Sequence, residues 1–224
     1  LIFVNYDDPI QNDKTKNQIR YTFSANEINV DVHINKIEAN PMVEIKYNSL
    51  RIKSNLIGIY NANNINAAIT IGKYFKIPDV LIKDAIENYI PENNRSQLIK
   101  KNSNEIILDA YNANPSSMHA AITNFIQLDK SNKIAILGDM FELGSESLSE
   151  HKKIIDLIEN ESRIKTYFIG KYFYANKIEN QNTIFFKDYN SFSEYLKENK
   201  PTEETLILIK GSRGMALERT LEIL

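Results

Sequence analysis

No cysteine occurs among the 224 residues. The chain therefore has no disulfide framework, no thiolate metal site and no cysteine nucleophile, a composition that suits a reducing cytoplasm. Imidazoles are scarce too: only His33, His119 and His151 are present, far apart in sequence. No apolar run approaches the roughly 20 residues that a membrane-spanning helix needs. The N-terminus has neither the basic lead nor the cleavage pattern of a secretory signal. Neither sign of charge dominates: 27 Lys and Arg stand against 29 Asp and Glu, a formal net charge of -2. Without clustered cations to displace counterions, a nucleic-acid surface is disfavoured. Two phosphate-cradling signatures are also missing. No G-x-x-x-x-G-K-[ST] loop occurs, and no G-x-G-x-x-G follows the first strand of the α/β part, which disfavours a dinucleotide-dependent oxidoreductase.

The chain is nonetheless 42% hydrophobic and 25% charged, enough for one large domain or two modest ones, each with a real core. It opens on Leu1 rather than Met, inside the strand-like run LIFV, and is expected to be a piece of a longer protein. Residues 1–55 carry short runs with β-type alternation, INVDVHI at 28–34 and MVEIKY at 42–47, separated by Asn, Asp and Pro; they predict a strand-rich, antiparallel segment. From residue 61 to 75, Ile65, Ala68, Ile69, Gly72 and Phe75 recur at helical spacing. A second helix is expected from Asp79 to about Tyr89, and PENN at 91–94 reads as a linker.

Beyond it, strands alternate with helices. Apolar strands fall at 106–108, 134–137, 167–169, 184–186 and 206–209, with helices near 116–128, 149–158, 191–198 and 215–223. That order predicts an α/β fold, a mainly parallel sheet with helices on both faces. Ligands of such sheets sit beyond the carboxyl ends of the strands, which points to the loops after Leu108, Leu137 and Ile209.

All three loops carry polar clusters. DAYNANPSSM at 109–118 runs from a strand tip into a helix start: Asp109 could accept hydrogen bonds from ribose hydroxyls, and Asn112, Asn114 and Ser116 add donors where a helix dipole favours anions. An Asn cap followed by Pro explains Asn114 and Pro115 equally well, but not Asp109, Tyr111 and Asn112. LGDMFELG at 137–144 brackets Asp139 with glycines that allow close backbone approach, and His151 follows; a solvated acidic turn with a surface histidine reads the same residues otherwise. KGSRGM at 210–215 holds Lys210, Ser212 and Arg213, a set suited to clamping a phosphate or carboxylate. Such exposed cations would gain little from ordinary surface pairing, below about 1 kcal/mol. A fourth stretch, GIYNANNINAA at 58–68, offers Asn61 and Asn64, whose amides carry the donor and acceptor an adenine edge needs; Asn61 also reads as a helix cap.

In this order and on these elements, the stretches VNYDDP, NNRSQ, DAYNANPSSM, LGDMFELG with His151, and IKGSRGMALE resemble the Mur ligases of peptidoglycan synthesis. Within that family they are most similar to the branch that adds D-alanyl-D-alanine. The resemblance implies three domains, of which residues 1–91 are the last part of the central ATPase domain and 92–224 the Rossmann-like C-terminal domain. It also implies a cytoplasmic, monomeric enzyme without membrane insertion. Its reaction is ATP- and Mg²⁺-dependent amide formation through an acyl phosphate, joining D-alanyl-D-alanine to UDP-N-acetylmuramoyl-tripeptide.

The implied roles go residue by residue. Asn61 and Asn64, in a stretch where Tyr60 replaces the family's His, together with Arg95, Asp109 and Tyr111, would serve the nucleotide. Asn112, Asn114, Ser116, Asp139, His151 and Ser212 would face the substrates, and Lys210 and Arg213 would stabilise the reacting groups. No metal ligand is assigned, since the family's Mg²⁺ ligands and phosphate loop have no counterpart here. Two alternatives stay open: a sister ligase adding diaminopimelate or lysine, and a non-catalytic Rossmann-like binding module.

Overall fold

The computed structural model describes all 224 residues, which form two compact units, Leu1–Ile90 and Pro91–Leu224. In the first unit, β1 (Ile2–Asn5), β2 (Arg20–Ser24) and β3 (Val32–His33) make a three-stranded parallel sheet in that order. The short helix α1 (Pro9–Lys14) provides the crossover from β1 to β2. Asp8 starts it by accepting the N–H groups of Ile10 and Gln11, with Pro9 at the first helical position. Antiparallel pairing, expected for the whole segment, holds only for the meander β4 (Lys36–Ala39), β5 (Met42–Tyr47) and β6 (Leu50–Ile57).

Of the alternating run 28–34 only Val32 and His33 are strand. The reason is local. Ser24 Oγ accepts the N–H groups of Asn26 and Glu27, and Glu27 Oε1 those of Ile28 and Asn29, so side chains take the donors a ladder would use.

Two helices follow, α2 (Ala62–Tyr74) and α3 (Asp79–Asn88). Ile65 and Ile69 on α2 bury against Phe23, Val43, Ile45 and Ile52. Ala68 and Phe75, expected on that face, are exposed instead, because the buried stripe runs through Ala62, Ile65, Asn66, Ile69 and Thr70. Gly72 lets α3 approach: a Cβ there would lie 2.8 Å from Ile82 Cδ1.

The second unit is a six-stranded sheet in the order β11-β10-β9-β12-β8-β7. Its members are β7 (Gln97–Lys101), β8 (Asn104–Asp109), β9 (Lys133–Gly138), β10 (Ile164–Ile169), β11 (Thr183–Phe186) and β12 (Leu206–Lys210). All neighbours are parallel except β7, an edge strand unanticipated from the sequence that forms a hairpin with β8. Every residue of β9 and β12 is buried, as a strand covered on both faces must be. One face packs Ile106, Leu108, Ile136 and Ile209 with Phe192 and Leu196 of α7 (Tyr189–Glu198). On the other, the Phe168 ring meets the tilted ring of Phe173 of α6 (Lys171–Ala175) at 4.6 Å; α6 lies beside α5 (Ser147–Ile158), which packs on α4 (Pro115–Gln127).

The closing helix expected at 215–223 is two 3-10 stretches, Arg213–Met215 and Leu217–Glu222. Ala216 between them has φ +48°, and a residue in the left-handed region cannot propagate an α-helix. Leu217 is thereby driven fully into the core.

Candidate functional site at the carboxyl ends of the strands

Because β12 lies between β8 and β9, the three polar loops singled out in the sequence leave the sheet side by side. At the tip of β8, Asp109 Oδ2 pairs with Lys210 Nζ of β12 at 2.5 Å, and Asp109 Oδ1 accepts the Ser96 N–H at 3.2 Å. Lys210 is 1% exposed and also donates to the Asn112 carbonyl at 3.3 Å. A buried lysine satisfied by a carboxylate and a carbonyl holds the loop after β8 against the end of β12. Beside the pair stands an open face: the Arg95 guanidinium lies 3.9 Å over the Tyr111 ring, and both residues are exposed. The turn carrying Arg95 is built from Asn93, Asn94 and Ser96, all at positive φ, a conformation that Asn adopts more readily than most residues.

Asn114 and Ser116 are engaged in starting α4. Asn114 Oδ1 accepts from the Ser117 N–H and from Ser116 Oγ, while Ser117 Oγ accepts the Asn114 N–H. This reciprocal cap accounts for both residues. Asn112 is exposed, and its Oδ1 accepts the Ala113 N–H at 2.9 Å.

The second loop is locked from inside. His151 is no helix-surface residue; it is 0% exposed. Its Nδ1 lies 2.5 Å from the Ser147 carbonyl, to which it must donate, so Nε2 is the acceptor for the Met140 N–H at 2.9 Å. The ring is thus the neutral Nδ1–H tautomer, and burial pushes its pKa below the usual histidine range. Asp139, 1% exposed, is no solvated acid. It accepts the Tyr172 and Phe173 N–H groups, both at 3.0 Å. Burial raises its carboxyl pKa above the ordinary value, against those two bonds, which lower it.

Gly170, at φ +126°, makes the approach possible: a Cβ there would lie 2.3 Å from the Asp139 carboxyl carbon. Ser212 joins all three loops. Its Oγ accepts the Phe141 N–H at 2.8 Å and reaches the Ala113 carbonyl at 3.5 Å, and its N–H donates to the Asp139 carbonyl. Arg213 points the other way, exposed, with Glu218 at 3.5 Å.

In the first unit, Asn64 is exposed and its Nδ2 donates to Asn61 Oδ1 at 3.1 Å. Asn61 is buried, and its Nδ2 donates to the Ile57 carbonyl at 2.7 Å. Asn61 stands at the start of α2 without a side-chain capping bond, so the cap reading fails there.

Sequence reasoning missed Ser96, whose N–H anchors Asp109, and Gly170, the partner of Asp139. A glycine directly after the apolar run 167–169 was the available signal for the second. No group of three or more His, Cys, Asp or Glu is arranged to hold a metal ion. The exposed Arg95–Tyr111 face beside Asp109 fits a nucleotide's planar base and ribose.

The family model described as Mur ligase, glutamate ligase domain, matches residues 94–213. Among curated relatives, the UDP-N-acetylmuramoyl-tripeptide--D-alanyl-D-alanine ligase of Bacillus subtilis is 33% identical over 175 residues, 75% of this chain and 38% of the relative. That of Rickettsia prowazekii is 35% identical over 134 residues, 57% of this chain and 29% of the relative. The chain thus spans less than two-fifths of the length of these relatives. Among solved structures, MurF from Acinetobacter baumannii superposes with a TM-score of 0.81 at 22% identity, over 99% of this chain and 50% of that one. Thermotoga maritima MurF ligase in complex with ADP gives 0.79 at 19% identity, over 99% and 52%. At these identities the structural likeness speaks for the fold.

Proposed function

Since the chain belongs to the Mur ligase family, we propose that it forms part of an ATP-dependent ligase joining D-alanyl-D-alanine to UDP-N-acetylmuramoyl-tripeptide, with Leu1–Ile90 the end of the ATPase domain and Pro91–Leu224 the Rossmann-like domain. The observation that carries this reading is the match of residues 94–213, because that span holds Arg95, Asp109, Asp139, Lys210 and Arg213 in one row of adjoining strand ends. Relatives about one-third identical that bear the ligase's name support the choice of dipeptide over diaminopimelate or lysine.

ATP, when bound, supplies the phosphoryl group that activates the tripeptide carboxylate. The chain's own residues divide the remaining work. Arg95 and Tyr111 offer a flat cationic and aromatic face to a base, and Asp109, held by Lys210 and Ser96, presents its remaining lone pairs to hydroxyl donors. Asn64 presents its amide at the start of α2 for a base edge, positioned by the buried Asn61, whose own amide bonds to the Ile57 carbonyl and to Asn64. Arg213, exposed on the loop after β12, is the cation that would exchange its surface pairing with Glu218 for charge developing on a phosphate or carboxyl oxygen. Asp139, His151 and Ser212 act by keeping these loops in register, which sets the positions of the reactants.

The reaction is the test. The protein encoded by the gene that carries this chain is incubated with ATP, Mg²⁺ and one of three amines, each with its own acceptor: the UDP-linked tripeptide for D-alanyl-D-alanine, the UDP-linked dipeptide for diaminopimelate or lysine. Phosphate release with a mass gain of one dipeptide is expected for D-alanyl-D-alanine alone. Turnover with diaminopimelate or lysine instead would assign the chain to a sister ligase, and no turnover with any amine would leave the binding-module alternative.

A further inference from the structure

Next to the loops already described lies a cleft of about 340 Å³ that Asp139 borders and whose cations, Lys171, Lys187 and Arg219, the sequence did not single out. It is walled by Phe141 after β9, by Gly170 and Lys171 after β10, by Lys187, Asp188 and Tyr189 after β11, and by Gly214, Met215 and Arg219 after β12. Neither Lys210 nor Ser212, which the sequence offered with Arg213 as a clamp for a phosphate or carboxylate, lines it. Both are buried and hydrogen-bonded within the fold.

The charge of the cleft is what decides its chemistry. Three cations, Lys171, Lys187 and Arg219, outnumber two acids, and both acids already accept backbone hydrogen bonds. Asp139 is taken by the N–H groups of Tyr172 and Phe173, and Asp188 caps α7 through the Ser191 N–H. None of the three cations forms an ion pair with a carboxylate. Arg219 is pre-oriented: its guanidinium lies 3.7 Å over the Tyr189 ring. Stacking of that kind fixes the plane and leaves N–H edges for a carboxylate to take in a bidentate manner. Lys171 is held similarly, 4.5 Å over Tyr172.

Size and apolar lining narrow the ligand further. The volume is at the small end of the roughly 300–1,000 Å³ of small-molecule pockets, too small for a nucleotide sugar carrying a peptide. Phe141, Tyr189 and Met215 offer apolar surface beside the cations, which suits methyl-sized side chains next to a charged terminus. Gly214 keeps the wall close, since a Cβ there would fall 2.7 Å from the Phe141 ring.

We propose that Lys171, Lys187 and Arg219 bind the C-terminal carboxylate of the amine substrate, with Phe141, Tyr189 and Met215 against its methyl groups. This rests on the reading of the chain as part of a D-alanyl-D-alanine-adding ligase. It shifts carboxylate recognition from the loop at 210–213 to the ends of β10 and β11 together with Arg219 further along the segment after β12.

Calorimetric titration of this chain, with resonances of the Arg219 guanidinium followed by NMR, tests both layers. D-alanyl-D-alanine is titrated into the parent, Lys187→Ala and Arg219→Ala, with D-alanyl-D-alanine amide and propionate as companion ligands. Each substitution is expected to weaken the dipeptide about tenfold, as loss of one charge-assisted contact would. The amide should bind the parent equally weakly and be indifferent to both substitutions. Unchanged dipeptide affinity in both variants would overturn the cleft assignment while leaving the ligase reading intact. A response of Arg219 to propionate but not to the dipeptide would keep the carboxylate site and sink the dipeptide reading. Silence of Arg219 towards every ligand would overturn the inference outright.

Discussion

Asp139 and Arg95 drew attention through the same kind of signal, a charged residue in a loop at a strand end, and the fold treats them in opposite ways. Asp139 is buried behind Gly170, with two backbone donors and His151 around it. Arg95 lies open on the face of Tyr111. Lys210 and Ser212 belong with Asp139, since each closes a bond between loops from different strands, while half-buried Asp109 stands between the groups, held by Lys210 on one side and open on the other. Lys187 and Arg219 belong with Arg95, and so does Arg213, whose only ion pair is an exposed one with Glu218. The comparison teaches that a polar cluster at a strand end contains two populations, a buried one that sets loop geometry and an exposed one that meets ligands. Sequence spacing does not separate them.

Substitution should separate them by stability. The largest effect is expected for Lys210→Ala, which leaves Asp109 half-buried without its cation and Asn112 without its donor. Breaking such a pair typically costs about 3 kcal/mol, and urea denaturation of parent and variant measures it. Retention of full stability would move Lys210 into the exposed population.

His151 gives an intermediate, pH-dependent effect. Its pKa is lowered in the folded chain from the ordinary 6.5, so below that pH the unfolded chain binds a proton that the folded one resists, and stability falls as pH falls. The slope is at most about 1.4 kcal/mol per pH unit for one proton. Asp139 works in the opposite sense: its raised pKa means that the folded chain keeps a proton the unfolded one has lost above the ordinary 3.8, and stability falls as pH rises from there. Denaturation midpoints from pH 7 to 5 should therefore drop in the parent relative to His151→Gln, and parallel curves would show that His151 does not titrate on unfolding.

Arg95→Ala should have the smallest effect on stability, about 0.5 kcal/mol for an exposed cation over a ring. Its consequence should instead be a raised KM for ATP in the ligase reaction. A variant that loses stability while keeping its KM would place Arg95 in the framework.

The history of particular elements shows why some features were readable. The runs at 106–108, 134–137 and 206–209 are strands in the structure, because an uninterrupted apolar run between turn residues has few other stable placements. The strand at 97–101 was not readable, since QLIKK at an edge carries neither alternation nor a continuous apolar run. The run at 28–34 misled, because side-chain acceptors at Ser24 and Glu27 compete for backbone donors in a way that periodicity does not register. Helical spacing at 215–223 misled as well, because Ala216 at positive φ interrupts it. For the candidate site, the loops were legible while the depth of each side chain was not. His151 follows Asp139 by twelve positions, and only the packing of α5 against α6 shows that its ring is sealed between Met140 and Ser147.

By itself the sequence determined the alternation of strands and helices after residue 91, the positions of the three polar loops and their likeness to the Mur ligases. These follow from local hydrophobic pattern and residue identity, which need no partner. Only the tertiary structure decided that β12 enters between β8 and β9, and so that loops some seventy to one hundred residues apart share one edge. It also decided which charges there are sealed and which stay open, because burial depends on what the rest of the chain packs against each side chain.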